Sequence, residues 1–131
     1  MKILYLPLLF IFFMVPAIPV ADPIDHIANL IRADKIHELA QMFASSIEIT
    51  LHDDENVYTK TQAELVIDKF FNENKPRSVK MLHRVSSNPT YLFGVITVNT
   101  DKGVFRIACT LKQSTGVFEL IEMRIEPEKM K

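Results

Sequence analysis

Residues 91–126 read YLFGVITVNT-DKG-VFRIACTLK-QSTG-VFELIEMRIE. In Val104–Lys112, the apolar Phe105, Ile107, Cys109 and Leu111 alternate with Arg106, Thr110 and Lys112 on the other face. A period of two is the mark of a half-buried strand. Val117–Glu126 repeats it, with Ile121, Met123 and Ile125 opposing Glu122, Arg124 and Glu126. Tyr91–Asn99 is β-rich throughout but holds Gly94, which signals a bulge or a bend that curves the sheet. The links Asn99–Gly103 and Gln113–Gly116 are short and rich in turn residues, so the strands they join run antiparallel. A further strand near Ser78–Val85 precedes them, across the turn Ser86-Ser87-Asn88-Pro89.

Upstream of these strands the periodicity is helical. Asp22-Pro23 is a helix start, with Asp as N-cap and Pro at the first helical position. Ile24, Ile27, Ala28 and Ile31 recur at helical spacing, and Ile36, Leu39, Ala40 and Phe43 make a second stripe. The two stripes form either two helices, the second capped by Asp34, or one kinked helix from Pro23 to Ala44. Ile47, Ile49 and Leu51 then alternate with Glu48 and Thr50 as a strand, His52–Asn56 is a polar turn, and Val57-Tyr58 returns. Thr61-Gln62-Ala63-Glu64 fits a capping box. It opens a helix with Ala63, Val66, Ile67, Phe70 and Phe71 on its apolar face, ended by Lys75-Pro76. The order α-α-β-β-α-β-β-β-β predicts an α+β domain, with helices packed on one face of a curved antiparallel sheet.

The first 21 residues are different. Lys2 is their only charge, Ile3–Val15 is unbroken by any other, and Pro16-Ala17-Ile18-Pro19-Val20-Ala21 leads to Asp22 with a small residue at either cut. This is the layout of a secretory signal peptide, cut after Ala17 or Ala21. An uncleaved anchor is the alternative, but Pro7, Pro16 and Pro19 interrupt the roughly 20 apolar residues a span needs. With no cysteine at the junction, lipid attachment is excluded. The expected product is a periplasmic or extracellular single domain of residues 22–131. Removing 21 residues from 131 leaves 110, and loss of Lys2 takes the net charge from −1 to −2. So weak a charge is no footprint for nucleic acid. Cys109 is the one cysteine, so no internal disulfide forms and the fold stands on its core.

Several residues bear on family. Val57–Glu64, Asp68-Lys69-Phe70-Phe71 and Met123-Arg124-Ile125-Glu126 resemble the exported bacterial family catalogued as domain of unknown function 4783. The likeness spans Ile24 to Glu126. One departure is Ala33-Asp34-Lys35, where the family pattern leads one to expect a glycine-containing turn. The resemblance implies a fold like nuclear transport factor two, a cystatin-like α+β cone in which a bent sheet wraps round helices. That superfamily contains isomerases, dehydratases, polyketide cyclases and many binding modules. The resembling family brings no catalytic residues with it, and fold alone does not license function.

A cone of this kind holds a pocket between helices and sheet, and such pockets are mostly apolar. Tyr58, His83, Tyr91 and Cys109 are the candidates for it. His83 shares a strand face with Val79, Met81 and Val85, so it is expected to point toward apolar surface, where a histidine can serve as general base. Tyr58 or Tyr91 would then donate a hydrogen bond to a developing oxyanion. The bland reading is a half-buried histidine bonded to a backbone carbonyl. Cys109 reads as a buried thiol behaving as a small hydrophobe. His52-Asp53-Asp54-Glu55 lacks the spacing and glycine of a calcium loop. His26 and His37 lack zinc spacing and read as surface. No phosphate-binding glycine loop, Gly-x-Ser-x-Gly elbow or Cys-x-x-Cys pair occurs. No cofactor and no metal are expected. The sequence therefore favours a non-catalytic module holding a small apolar ligand in the cone or docking a protein partner, such as an envelope protein, on the open sheet face, with a homodimer through the sheets as one assembly. It favours this over a cofactor-free lyase or isomerase.

Overall fold

The computed structural model describes residues 22–128. The expected leader, its two alternative cuts and the last three residues lie outside the described part.

Helix α1 (Pro23–Arg32) begins where the Asp22 carboxylate accepts the Ile24 N–H at 2.7 Å. It buries Ile24, Ile27, Ala28, Leu30 and Ile31. Its end is a Schellman turn: Lys35 N–H bonds Leu30 C=O at 2.8 Å and Asp34 N–H bonds Ile31 C=O at 3.0 Å. Asp34 sits at φ 58, the left-handed position that a glycine would fill without cost. This answers the missing glycine, and it makes two helices of the stripe rather than one. Asp34 therefore does not cap α2 (Ile36–Ala40), whose N-cap is Lys35, with no side-chain bond.

Helix α2 is a turn and a half, and it stops before Phe43. Phe43 and Ala44, expected on a helix, begin strand β1 (Phe43–Leu51). Strand β2 (Asp54–Thr59) pairs antiparallel with β1, Ile47 opposite Tyr58, and starts three residues before the expected Val57. Helix α3 (Lys60–Glu73) follows at once. Its capping box is formed by Thr59 and Gln62, two residues earlier than the expected frame: Gln62 N–H donates to Thr59 Oγ1 at 3.3 Å, and Thr59 N–H to Gln62 Oε1 at 3.2 Å. Ala63, Ile67, Phe70 and Phe71 are buried beneath it.

Strands β3 (Pro76–Asn88), β4 (Tyr91–Thr100), β5 (Gly103–Ser114) and β6 (Val117–Pro127) form an antiparallel meander. The six-stranded order is β2-β1-β6-β5-β4-β3. The seam between β1 and β6 is parallel, whereas an antiparallel sheet was expected. No hairpin joins these two strands, so turn geometry does not set their direction. The sheet is mixed and curved, and the helices cover one face of it.

Bulges account for the bending. In β6, Thr110 faces Glu122 and Leu111 faces Leu120, which leaves Ile121 as an extra residue. Leu120 and Met123 are both buried and Ile121 only half-buried, so the expected row of Ile121, Met123 and Ile125 is broken at its first member. In β3, Met81 faces Ile96 and His83 faces Val95, with Leu82 extra. Gly94 has another purpose, because its register with Cys109 on β5 is regular. A Cβ at position 94 would stand 2.6 Å from Ile24 Cγ2. The glycine lets α1 lie against the sheet.

Candidate functional site

Among the described residues, a continuous buried core occupies the space between helices and sheet. Phe43, Phe71, Ile67, Ile107 and Leu111 are all buried there, continuous with Ile24, Met123 and Cys109. Clefts remain at the rim. One of about 280 Å³ opens between Val66, Phe70 and Glu73 of α3 and Leu51, His52 and Phe105 of the sheet. Its floor is aromatic, with the Phe70 ring edge-on to Phe105 at 5.0 Å and to Phe71 at 5.1 Å. A second cleft, of about 400 Å³, lies at the other end, between Pro23 and Met42 and the β5–β6 turn at Val117-Phe118.

The four expected pocket residues do not converge. Gly94 faces the helices through Ile24, so its strand partner Arg84 does too. Arg84 confirms this by reaching Asp25 at 2.7 Å and Asp22 at 3.4 Å on α1. Alternation then puts His83 and Val85 on the outer face. The expectation that His83 points inward with Val79 and Met81 fails because the Leu82 bulge reverses the phase between Met81 and His83. His83 is exposed, in a shallow groove with Leu82, Val95 and Arg106. Tyr91 is on the outer face as well, with Lys112 Nζ 5.8 Å above its ring. Tyr58 is half-buried on the inner face of β2, at the opposite edge of the sheet from His83. Cys109 is fully buried, and burial pushes its thiol up to about 12. It is the inert core thiol that its alternation indicated.

The other histidines lie apart. His37 Nδ1 is 2.8 Å from Glu64 Oε2, tying α2 to α3, and the carboxylate holds its pKa above the usual histidine value. His52 occupies the β1–β2 turn at φ 59. Among the described residues, no group of three His, Cys, Asp or Glu side chains is placed to hold a metal ion. Nor is any helix there long and apolar enough to cross a membrane.

Sequence reasoning offered the open sheet face as a place for a partner but did not identify the residues on it. Leu82, Val85, Tyr91 and Phe93 are large exposed apolar residues on the adjacent strands β3 and β4. Val57 is a further one, on the outer side of β2. A signal was present: Tyr91, Phe93 and Val95 make the outward positions of β4 as apolar as its inward ones. On strands β2, β1 and β6 the outer face carries Glu55, Glu48, Glu119, Glu122 and Glu126. The Glu48 carboxyl is held above the usual carboxylate range, chiefly by its hydrogen bond with Glu55.

A protein-family model catalogued as a domain of unknown function, DUF4783, matches residues 24–126. The chain belongs to the DUF4783 family. Solved DUF4783 structures share its fold. That of a family protein from Bacteroides ovatus is 19% identical, with a TM-score of 0.76 over 86% of this chain and 97% of that one. Another, from Bacteroides uniformis, is 16% identical, with a TM-score of 0.78 over 83% and 100%. An uncharacterized protein with a cystatin-like fold from Caulobacter vibrioides is 10% identical, at a TM-score of 0.62 over 81% and 84%. At these identities the likeness is one of fold. No curated protein matches the sequence. The DUF4783 fold here is the α+β cone that the resemblance implied and the element order agreed with, with helices inside and one sheet face outside.

Proposed function

We propose that this DUF4783 protein is an exported, non-catalytic interaction module that docks a protein partner on the outer face of its sheet. The observation that carries this reading is the contrast between a continuous buried core and an open outer face bearing Leu82, Val85, Tyr91 and Phe93. Contiguous exposed apolar surface on a small domain marks an interaction site. Acid–base chemistry in the cone has little support, because its proposed base and its inward tyrosine lie on opposite faces and edges. The two rim clefts, of about 280 and 400 Å³, are open to solvent, whereas a small-molecule site encloses most of its ligand's surface. The leader layout supports export.

Native gel electrophoresis of envelope extracts tests the reading, with detection of this chain. It should migrate in a complex larger than a monomer. Phe93→Glu should release it to the monomer position, while Leu65→Glu, on the exposed back of α3, should not. Migration unaffected by Phe93→Glu, or a wild-type chain already monomeric there, contradicts the reading.

A further inference from the structure

Acidic residues are missing from half of the sheet. The chain has 16 Asp and Glu among its 131 residues, yet strands β3, β4 and β5 contain none. On the outer face these strands carry Lys80, His83, Arg106 and Lys112. The other half of that face holds the glutamates of β2, β1 and β6, with Arg124 the one cation there among the described residues. A net charge of −1 for the whole chain hides this separation.

Register arranges the cationic half as a bracket around an apolar centre. Lys80, Thr97 and Arg106 lie in one row across β3, β4 and β5. His83, Val95 and Ala108 make the next row, and Val85, Phe93 and Thr110 the one after. Tyr91 and Lys112 stand in the last. The cations are open to a partner. Arg106 makes an exposed pair with Glu128 at 3.2 Å, and pairs of that kind are weak. Among the described residues, Lys80 and Lys112 make no ion pair.

We infer that this half of the outer face docks an amphipathic helix of a partner protein, with carboxylates at both of its ends; this rests on the docking reading above and names the partner's chemistry. Charge complementarity sets the sign. Carboxylates meet Lys80 and Arg106 at one end and Lys112 at the other, while the glutamates of the neighbouring half repel the same segment and confine it to β3–β5. Dimensions set the form. Three strands about 4.8 Å apart present a width of about 14 Å, and a helix is about 10–12 Å across. From Arg106 to Lys112 is about 20 Å along β5, at about 3.3 Å per residue. A helix covers that distance in about 14 residues, or nearly four whole turns. The carboxylates at its two ends then face the same side, with apolar residues three and four apart between them. Phe93 and Tyr91 are the aromatic anchors beneath that apolar stripe.

An aromatic photo-cross-linking residue at position 93 of the full chain, illuminated in intact cells, tests this when the adduct is sequenced by mass spectrometry. The captured peptide should be negatively charged, with Asp or Glu at both ends of an apolar helical repeat. Arg106→Glu with Lys112→Glu should lower the adduct yield at least about tenfold, because like charges then meet. Arg106→Gln with Lys112→Gln adds no repulsion from the paired Glu126 and Glu119, so it keeps the test open should the reversed variant fail to fold. It should lower the yield about threefold. Glu119→Gln with Glu126→Gln should leave the yield unchanged or raise it. A neutral or basic peptide, a second copy of this chain, an adduct indifferent to both cation pairs, or one lost with the glutamates overturns the inference and leaves the docking reading standing. A lipid adduct, or none, removes both.

Discussion

Replacing Gly94 with alanine puts one methyl group where α1 meets the sheet. The new Cβ would lie 2.6 Å from Ile24 Cγ2, 3.0 Å from its Cδ1 and 3.1 Å from its Cγ1. Carbon atoms rest at about 3.5–4.0 Å, so Ile24 must retreat by about 1 Å. It has little room to do so, being 1% exposed. The backbone around it is held by the Asp22 cap and by the Arg84 bridges to Asp22 and Asp25. Overpacking of this kind costs about 1–3 kcal/mol. Against it stands a gain of about 0.4–1 kcal/mol, because alanine restricts the unfolded chain. Gly94→Ala should therefore lose about 1–2 kcal/mol. Urea unfolding at 25 °C followed by circular dichroism reads this as a midpoint lower by about 1 M, for a slope of about 1.5 kcal/mol/M. Ile24→Ala alone should cost about 2–5 kcal/mol. The double variant should cost less than the two together by about 1–2 kcal/mol, since the methyl then enters the space vacated. A Gly94→Ala protein as stable as the wild type, or penalties that simply add, would refute the close seating of α1 on β4.

Three further outcomes follow from particular contacts. Cys109 should resist a thiol reagent at pH 8 in the native protein and react at once on unfolding, since burial holds its pKa near 12; rapid native labelling would contradict its place in the core. His37 should titrate above 6.5 by NMR, and Glu64→Gln should lower that value. The sign follows: its contribution to stability is complete below about pH 6.5, where both states are protonated, and disappears as pH rises through the raised folded value. Thr59→Ala removes the α3 capping box and should cost about 1 kcal/mol in the same urea assay, whereas Thr61→Ala, in the frame the helix does not use, should change little.

The element order was legible because the chain changes period cleanly. Asp22-Pro23 announces α1, and Phe105 to Leu111 alternate without a break because β5 is paired on both sides. What could not be read depends on tertiary contacts. Phe43 continues the Leu39 stripe by spacing, but pairing with Leu120 on β6 draws it into a strand. Thr59-x-x-Gln62 and Thr61-x-x-Glu64 both have the form of a capping box, and the reach of β2 to Thr59 decides between them. Bulges leave no mark in composition. The extra residue at Leu82 turned His83 outward and with it removed the base from the expected pocket; the one at Ile121 brought Leu120 into the core. The residues of the outer face were misplaced rather than overlooked: Val85 was put with Val79 and Met81 because the Leu82 bulge is not legible, and Tyr91 was put in the pocket.

The central claim is that this cone works from its outer face and not from within. A photo-cross-linking residue placed at position 93, and in a second strain at position 65, examines that claim in intact cells. Illumination should give a discrete protein adduct from position 93 and none from position 65. An adduct from α3 alone, or none from the sheet, would contradict it.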